Sequence, residues 1–238
     1  MEDYPKYGIP FESGEFYHIY NSAVGSENLF SSIDNYRYFL DRYHFYTRNI
    51  LSVYTFCLLS NHFHFLIKVN NSVYDEEVSK QLRKFFISYS KAFNREKNRS
   101  GTLFNKHLKR VWIESDEQLL WTLYYIHRNP VHHLITTDYQ RYPWSSFQIM
   151  LSEKPTKLQR SKVLDLFSGK ENFIEFHERN IKEDILRKKI HFLESWDCKH
   201  GMSVQLAKMD LSGGCCRCSA WFGVRQTYHV SGSASSPW

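Results

Sequence analysis

Residues 51–69 read LSVYTFCLLSNHFHFLIKV. Two β-rich runs, 51–60 and 62–69, flank the polar pair Ser60-Asn61, and the short link predicts an antiparallel hairpin. The second run carries an unusual alternation. Strand side chains point alternately to opposite faces, so His62 and His64 share one face while Phe63 and Phe65 take the other. The phenylalanines belong in a core. The histidines need a different explanation.

The chain on either side completes a pattern. GEFYHIYNSAVG, 14–25, alternates and ends in a Gly turn, which predicts a strand over 15–21. Ile33, Tyr36, Phe39, Leu40 and Tyr43 then recur at helical spacing behind Ser32 or Asp34 as N-cap. After the hairpin, Val78, Leu82, Phe85, Phe86, Tyr89 and Phe93 form a second helical stripe, which RSG at 99–101 ends. HLKRVWIE, 107–114, reads as a fourth strand. Ser115 and Gln118 open a third helix as a capping box, and Pro130 is expected to interrupt it. The order β-α-β-β-α-β predicts an α+β, ferredoxin-like (RRM-like) antiparallel sheet with helices on one face. A helical C-terminal extension follows. The expected division is a domain over 1–150, helices over 151–195, and an atypical, disordered tail over 196–238, rich in Ser, Gly and Cys.

The totals set bounds. Hydrophobic residues are 42% of 238, enough for a core, and no 18-residue apolar run predicts a membrane helix. The start, MEDYPKYGIPFESG, has no apolar segment of the signal-peptide kind, so a cytoplasmic location is expected. Of five cysteines, Cys57 reads as a core residue, and the odd count argues against a disulfide framework. Cys215, Cys216 and Cys218 in CCRC lack a second paired half at zinc-site spacing. Net charge is +6. From Lys80 to Arg110 there are ten Lys or Arg against the single acid Glu96. Such a block attracts polyanions, and its interleaved aromatics suit stacking on unpaired bases. A solvated helix face explains the same charges.

Two imidazoles from one strand can meet one divalent ion, but they make an incomplete site. The third helix offers the complement. Tyr125 and Asn129 are four residues apart and share a helix face. A tyrosine hydroxyl beside a metal held by His62, His64 and an amide oxygen of Asn129 is a candidate nucleophile toward a phosphodiester. Tyr124 competes for that role, and spacing favours Tyr125 only through its pairing with Asn129. The same helix also reads as core, through Leu120, Leu123, Tyr124 and Ile126. His127 should point elsewhere, and His132 and His133 could form a second polar cluster.

These pieces resemble a known family. FCLLSNHFHFLIKV resembles the strand carrying the His-hydrophobic-His motif of the small single-tyrosine (HUH) transposases of IS200-like insertion sequences. GTLFNKHLKRVWIESDEQLLWTLYYIHRNPVHHLI resembles their nucleophile-bearing segment, and RYPWSSF, 141–147, resembles a stretch of the REP-associated tyrosine transposases. The likeness spans about residues 7–180. It implies metal ligation by His62, His64 and Asn129, a Tyr125 nucleophile, and Mg2+ or Mn2+ as cofactor. It implies cleavage and rejoining of single-stranded DNA through a 5′-phosphotyrosine, often at hairpins formed by palindromic repeats. Lys80, Arg83, Lys84, Lys91, Arg95, Lys106, Lys109 and Arg110 would line the DNA path, with the protein a monomer or homodimer and no membrane partner. One departure is local: the branch commonly reads NPVRAG where this chain has NPVHHL, 129–134. Two other readings share the fold and charge. One is a non-catalytic module that holds single strands by stacking. The other is a metal-dependent hydrolase that uses water and leaves no protein–DNA adduct.

Overall fold

The computed structural model describes residues 9–179. The expectations for 180–195, for the tail and for Cys198, Cys215, Cys216 and Cys218 lie outside the described residues. Four strands form the sheet: β1 (Phe16–Ser22), β2 (Leu51–Leu59), β3 (His62–Val69) and β4 (Lys109–Trp112). Their order is β2-β3-β1-β4, and every neighbouring pair is antiparallel. This is the ferredoxin-like arrangement that the element order predicts. Helix α1 (Ile33–Thr47) joins β1 to β2, and α2 (Asp75–Glu96) joins β3 to β4. β4 is four residues long, shorter than the 107–114 expected, with His107 exposed and Leu108 half-buried in the preceding loop.

Pairing register fixes the two faces. Tyr20 opposes His64, Ser22 opposes His62, and Cys57 opposes His64 from the other side. Alternation then sends Phe63, Phe65 and Ile67 to the opposite face, where α1 and α2 pack. The Tyr43 ring stacks on Phe65 at 4.2 Å, and Phe39 meets Phe85 edge-on at 4.9 Å. All four rings are fully buried. Burying such side chains contributes roughly 1.5–3 kcal/mol each before entropy is counted, and this aromatic layer is the main core.

The helix that was expected to stop at Pro130 does not. Helix α3 (Asp116–His132) runs through the proline on the histidine-bearing face of the sheet. Ser115 caps its start by accepting from Gln118 N, and the Gln118 side chain accepts from Glu114 N rather than from the cap itself. Pro130 has no N–H to give to the carbonyl of Ile126, and with only two helical residues beyond it that single forgone bond falls in the last turns of α3. The ladder continues past it, with His133 N donating to Asn129 O at 3.0 Å.

The end of α3 is closed by Leu134 at φ 55°, with Ile135 N donating back to Pro130 O at 2.9 Å. That left-handed position favours glycine. Glycine is also what the resembling branch reads at the end of its NPVRAG.

The segment after α3 folds back on the sheet. A 3-10 turn (Tyr139–Arg141) precedes α4 (Phe147–Leu151), α5 (Arg160–Leu166) and α6 (Lys170–Glu178), and α5 and α6 lie within the 151–195 expected to be a helical extension. Along the outer edge of β2, Leu58 N donates to Trp144 O, Ser146 N to Phe56 O, and Gln159 N to Val53 O. Trp144 itself stacks on Tyr36 of α1 at 4.2 Å.

Leu134→Gly should relieve backbone strain at small packing cost, because Leu134 is 81% exposed. The expected gain is up to about 1 kcal/mol in urea-induced unfolding; a loss would show that the leucine is held by contacts rather than strained.

Candidate active site

The histidine-bearing face gathers residues from three elements. His62 and His64 come from β3, His18 and Tyr20 from β1, and Tyr125, Asn129, His132 and His133 from α3 and its cap. His62 Nε2 lies 3.3 Å from Asn129 Oδ1, and its Nδ1 lies 2.7 Å from Asn61 Oδ1. His64 Nδ1 lies 2.9 Å from His18 Nε2. The Tyr125 ring stands edge-on to His64 at 5.8 Å and to His18 at 6.2 Å. Each of the four sequence-derived residues is almost fully buried, Tyr125 at 5% and Asn129 at 0% exposure among them.

Tyr124 and Tyr125 diverge as neighbours on a helix must. The Tyr124 hydroxyl donates to Arg179 O at 2.6 Å, and its ring meets Trp121 and Phe176, on the side of α6. Only Tyr125 faces the imidazoles of β1 and β3. His127 also points away, as its offset from Tyr125 requires. His132 and His133, which the sequence set apart as a second polar cluster, join this one. His132 stacks on Tyr125 at 5.6 Å, and His133 meets His62 at 4.5 Å.

Burial sets the charge state of the centre. Desolvation holds His64 well below the usual imidazole range, and the neighbouring His18, His62, His133 and Lys109 push it the same way. Desolvation also lowers His18, to about 3. Neutral imidazole is the form that binds metals. Among the described residues no three His, Cys, Asp or Glu side chains converge to hold a cation. A third protein donor to a cation held by His62 and His64 would be of another kind, and the Asn129 amide, whose oxygen is within reach of His62, is one. Its Oδ1 faces His62, and its buried Nδ2 has no hydrogen-bond partner. Two imidazoles and one amide oxygen could ligate a divalent ion that keeps open positions for water or phosphate.

The back of α3 is anchored by a buried polar chain. His177 Nδ1 lies 2.8 Å from Phe173 O, so it carries the proton and donates there. His177 Nε2 then accepts from His127 Nδ1 at 2.9 Å. His127 Nε2 in turn accepts from the hydroxyls of Thr55 or Ser146, at 2.7 and 2.9 Å. Every step requires both rings neutral. Nothing in the sequence pairs residues 127 and 177, which lie 50 positions apart.

The expected DNA-contacting residues divide between faces. Lys80, Arg83, Lys84, Lys91 and Arg95 lie exposed on α2, across the sheet from the histidines. Arg83, Lys91, Lys106 and Arg110 line a cleft of about 890 Å3 between α2 and the 101–108 loop, with Phe11 and Phe86 among its apolar walls. Arg110 pairs with Asp75 at 3.1 Å and lies over the Phe11 ring. Lys109 alone of the eight belongs to the histidine face, its Nζ 5.5 Å from the Tyr20 ring centre.

No protein-family model and no curated protein matches the chain. Among solved structures, a REP-associated tyrosine transposase bound to a REP hairpin superposes with a TM-score of 0.54 at 15% identity. The match covers 64% of this chain and 87% of that one, and it is a likeness of fold. No helix among the described residues is long and apolar enough to cross a membrane.

Burial lowers His177 from 6.5 to about 4, so the unfolded chain takes up a proton there first as pH falls. Below pH 6.5 the unfolded state binds more protons, and stability present above that pH is lost toward pH 4. The expected loss from this group is up to about 3 kcal/mol. Urea unfolding across that range should show a shallower slope in His177→Gln; an equal slope would place the pH dependence elsewhere.

Proposed function

We propose that this protein is a metal-dependent tyrosine transposase or nickase that cleaves and rejoins single-stranded DNA through a 5′-phosphotyrosine. The carrying observation is that Tyr125, not Tyr124, stands against His64 on the same sheet face where His62 meets Asn129. His62, His64 and Asn129 would hold Mg2+ or Mn2+. When bound, the ion polarises a non-bridging phosphate oxygen and stabilises the charge that builds on it.

The chain supplies the rest. The Tyr125 hydroxyl oxygen attacks phosphorus and gives up its proton, the bond to the 3′ oxygen breaks, and that oxygen takes up a proton and leaves as a free 3′ hydroxyl, so protons balance over the step. The bond energy is retained in the tyrosyl phosphodiester, so rejoining needs only attack by a 3′ hydroxyl in the reverse direction. Burial of most of α3, Tyr125 included, holds the phenol in place, which converts a bimolecular attack into a positioned one. Lys109 contributes positive charge at the histidine face. Arg83, Lys91 and Lys106 give a separate basic cleft with aromatic walls, suited to phosphate contact and base stacking. The fold neighbour's bound REP hairpin supports hairpin-forming single strands as the substrate class. The cell interior, where such DNA is found, is the compartment this chemistry calls for.

The experiment uses 5′- and 3′-labelled single-stranded hairpins from DNA flanking the gene, with Mn2+, resolved on a denaturing gel. Wild type should give a labelled protein band that Tyr125→Phe abolishes. Binding without an adduct in wild type would favour the non-catalytic binding module, and cleavage without an adduct a water-using hydrolase. A separate prediction concerns the cleft. Replacing Arg83, Lys91 and Lys106 together by Ala should weaken single-strand binding and reduce the slope of log affinity against log salt by about 2. An unchanged slope would remove the cleft from the DNA path.

A further inference from the structure

His18 is a further imidazole at the site with no role in the chemistry above. It is fully buried on β1, and its Nε2 lies 2.9 Å from His64 Nδ1. Its ring runs nearly parallel to that of His64, with centroids 5.1 Å apart and planes 13° apart. Tyr20 lies against both, 19° from the plane of His18 and 15° from that of His64. Such a layer holds the two rings in an orientation where an in-plane N–H···N bond forms. Burying a polar ring is costly unless it makes a bond worth keeping, and a leucine would fill similar space.

We propose that His18 is the positioning residue that fixes the tautomer of His64 and thereby turns His64 Nε2 into a donor toward a divalent cation. The proposal rests on the reading of His64 as a ligand. One proton lies between His18 Nε2 and His64 Nδ1, so two arrangements exist. If His18 donates, His64 Nδ1 must accept, and the remaining proton of neutral His64 sits on Nε2, where it blocks ligation. If His64 donates from Nδ1, its Nε2 carries the lone pair. Both ring nitrogens of His62 face amide oxygens that only accept, Nδ1 that of Asn61 at 2.7 Å and Nε2 that of Asn129 at 3.3 Å; the shorter contact takes the single proton of the neutral ring, which gives His62 the second arrangement and leaves Nε2 and Asn129 Oδ1 as facing lone pairs. Both imidazoles of the strand present Nε2 lone pairs together only when His18 is the acceptor. His18 thus does for His64 what Asn61 does for His62. Metal-ligating histidines ordinarily gain their tautomer from such a partner.

The test titrates the full chain with Mn2+ and follows the free-ion signal by electron paramagnetic resonance. Wild type, His18→Leu, His18→Gln and His64→Ala are compared. His18→Leu should weaken Mn2+ binding 10- to 100-fold. His18→Gln, whose amide oxygen reaches the position of Nε2, should recover most of it. His64→Ala should remove the site. Long-range 1H–15N spectra of metal-free wild type should show His64 protonated on Nδ1. Finding His64 protonated on Nε2 in wild type would overturn the proposal without any variant. So would unchanged Mn2+ affinity in His18→Leu while His64→Ala loses binding. Binding indifferent to His64→Ala would instead sink the ligand reading itself, and the tautomer role with it.

Discussion

The register of one hairpin governs this molecule. β3 alternates His62, His64 and Leu66 with Phe63, Phe65 and Ile67, and pairing on both sides holds that alternation in place. A slip of one residue would send two imidazoles into an aromatic core and three large apolar side chains onto the opposite face. Neither outcome is tolerable, so the core and the candidate site specify each other. Tyr43 stacked on Phe65 holds the strand from one side as surely as Asn129 facing His62 orders the other.

The second requirement is a nucleophile-bearing helix that does not drift. α3 is buried nearly all round, which is unusual for a helix with so many polar side chains. Each has been given work. Thr122 bonds back to Gln118 O, His127 joins β2 to α6, and Arg128 lies over both Tyr124 and Tyr139. The side of the helix turned toward β2 and α6 is thus an anchor, and the side turned toward β1 and β3 carries Tyr125 and Asn129. α6 lies some 50 residues beyond α3 in sequence, yet it forms part of the setting of the site.

Much of this was legible in the sequence because it is local. Period-two alternation over 62–69 and the four-residue spacing of Tyr125 and Asn129 needed no tertiary information. That spacing favoured Tyr125 over Tyr124, and the structure adds a physical reason the sequence lacked: Tyr124 packs against α6 while Tyr125 faces the imidazoles. His18 was missed although it sits in YHIY, at the same alternation as Tyr20; that parity was the available signal, but its meaning depends on the register between β1 and β3. His132 and His133 were set apart because Pro130 was expected to end the helix, and the helix instead carries them to the site. The basic stretch 80–110 reads as one block in sequence, whereas helical winding and the sheet between them put α2 and Lys109 on different sides.

The edge of β2 has a consequence for assembly. Exposed strand edges invite pairing with another chain. Here the outward-facing groups of Val53, Phe56 and Leu58 are already bonded to the returning segment of 144–159. That end of the sheet is sealed from within the chain. Among the described residues the opposite edge of the sheet is β4, four residues long, with Lys109 on the histidine face and Arg110 paired to Asp75. Another strand could add to the edge of β2 only by first displacing the 144–159 segment from Val53, Phe56 and Leu58, so on that side the chain acts as its own edge strand.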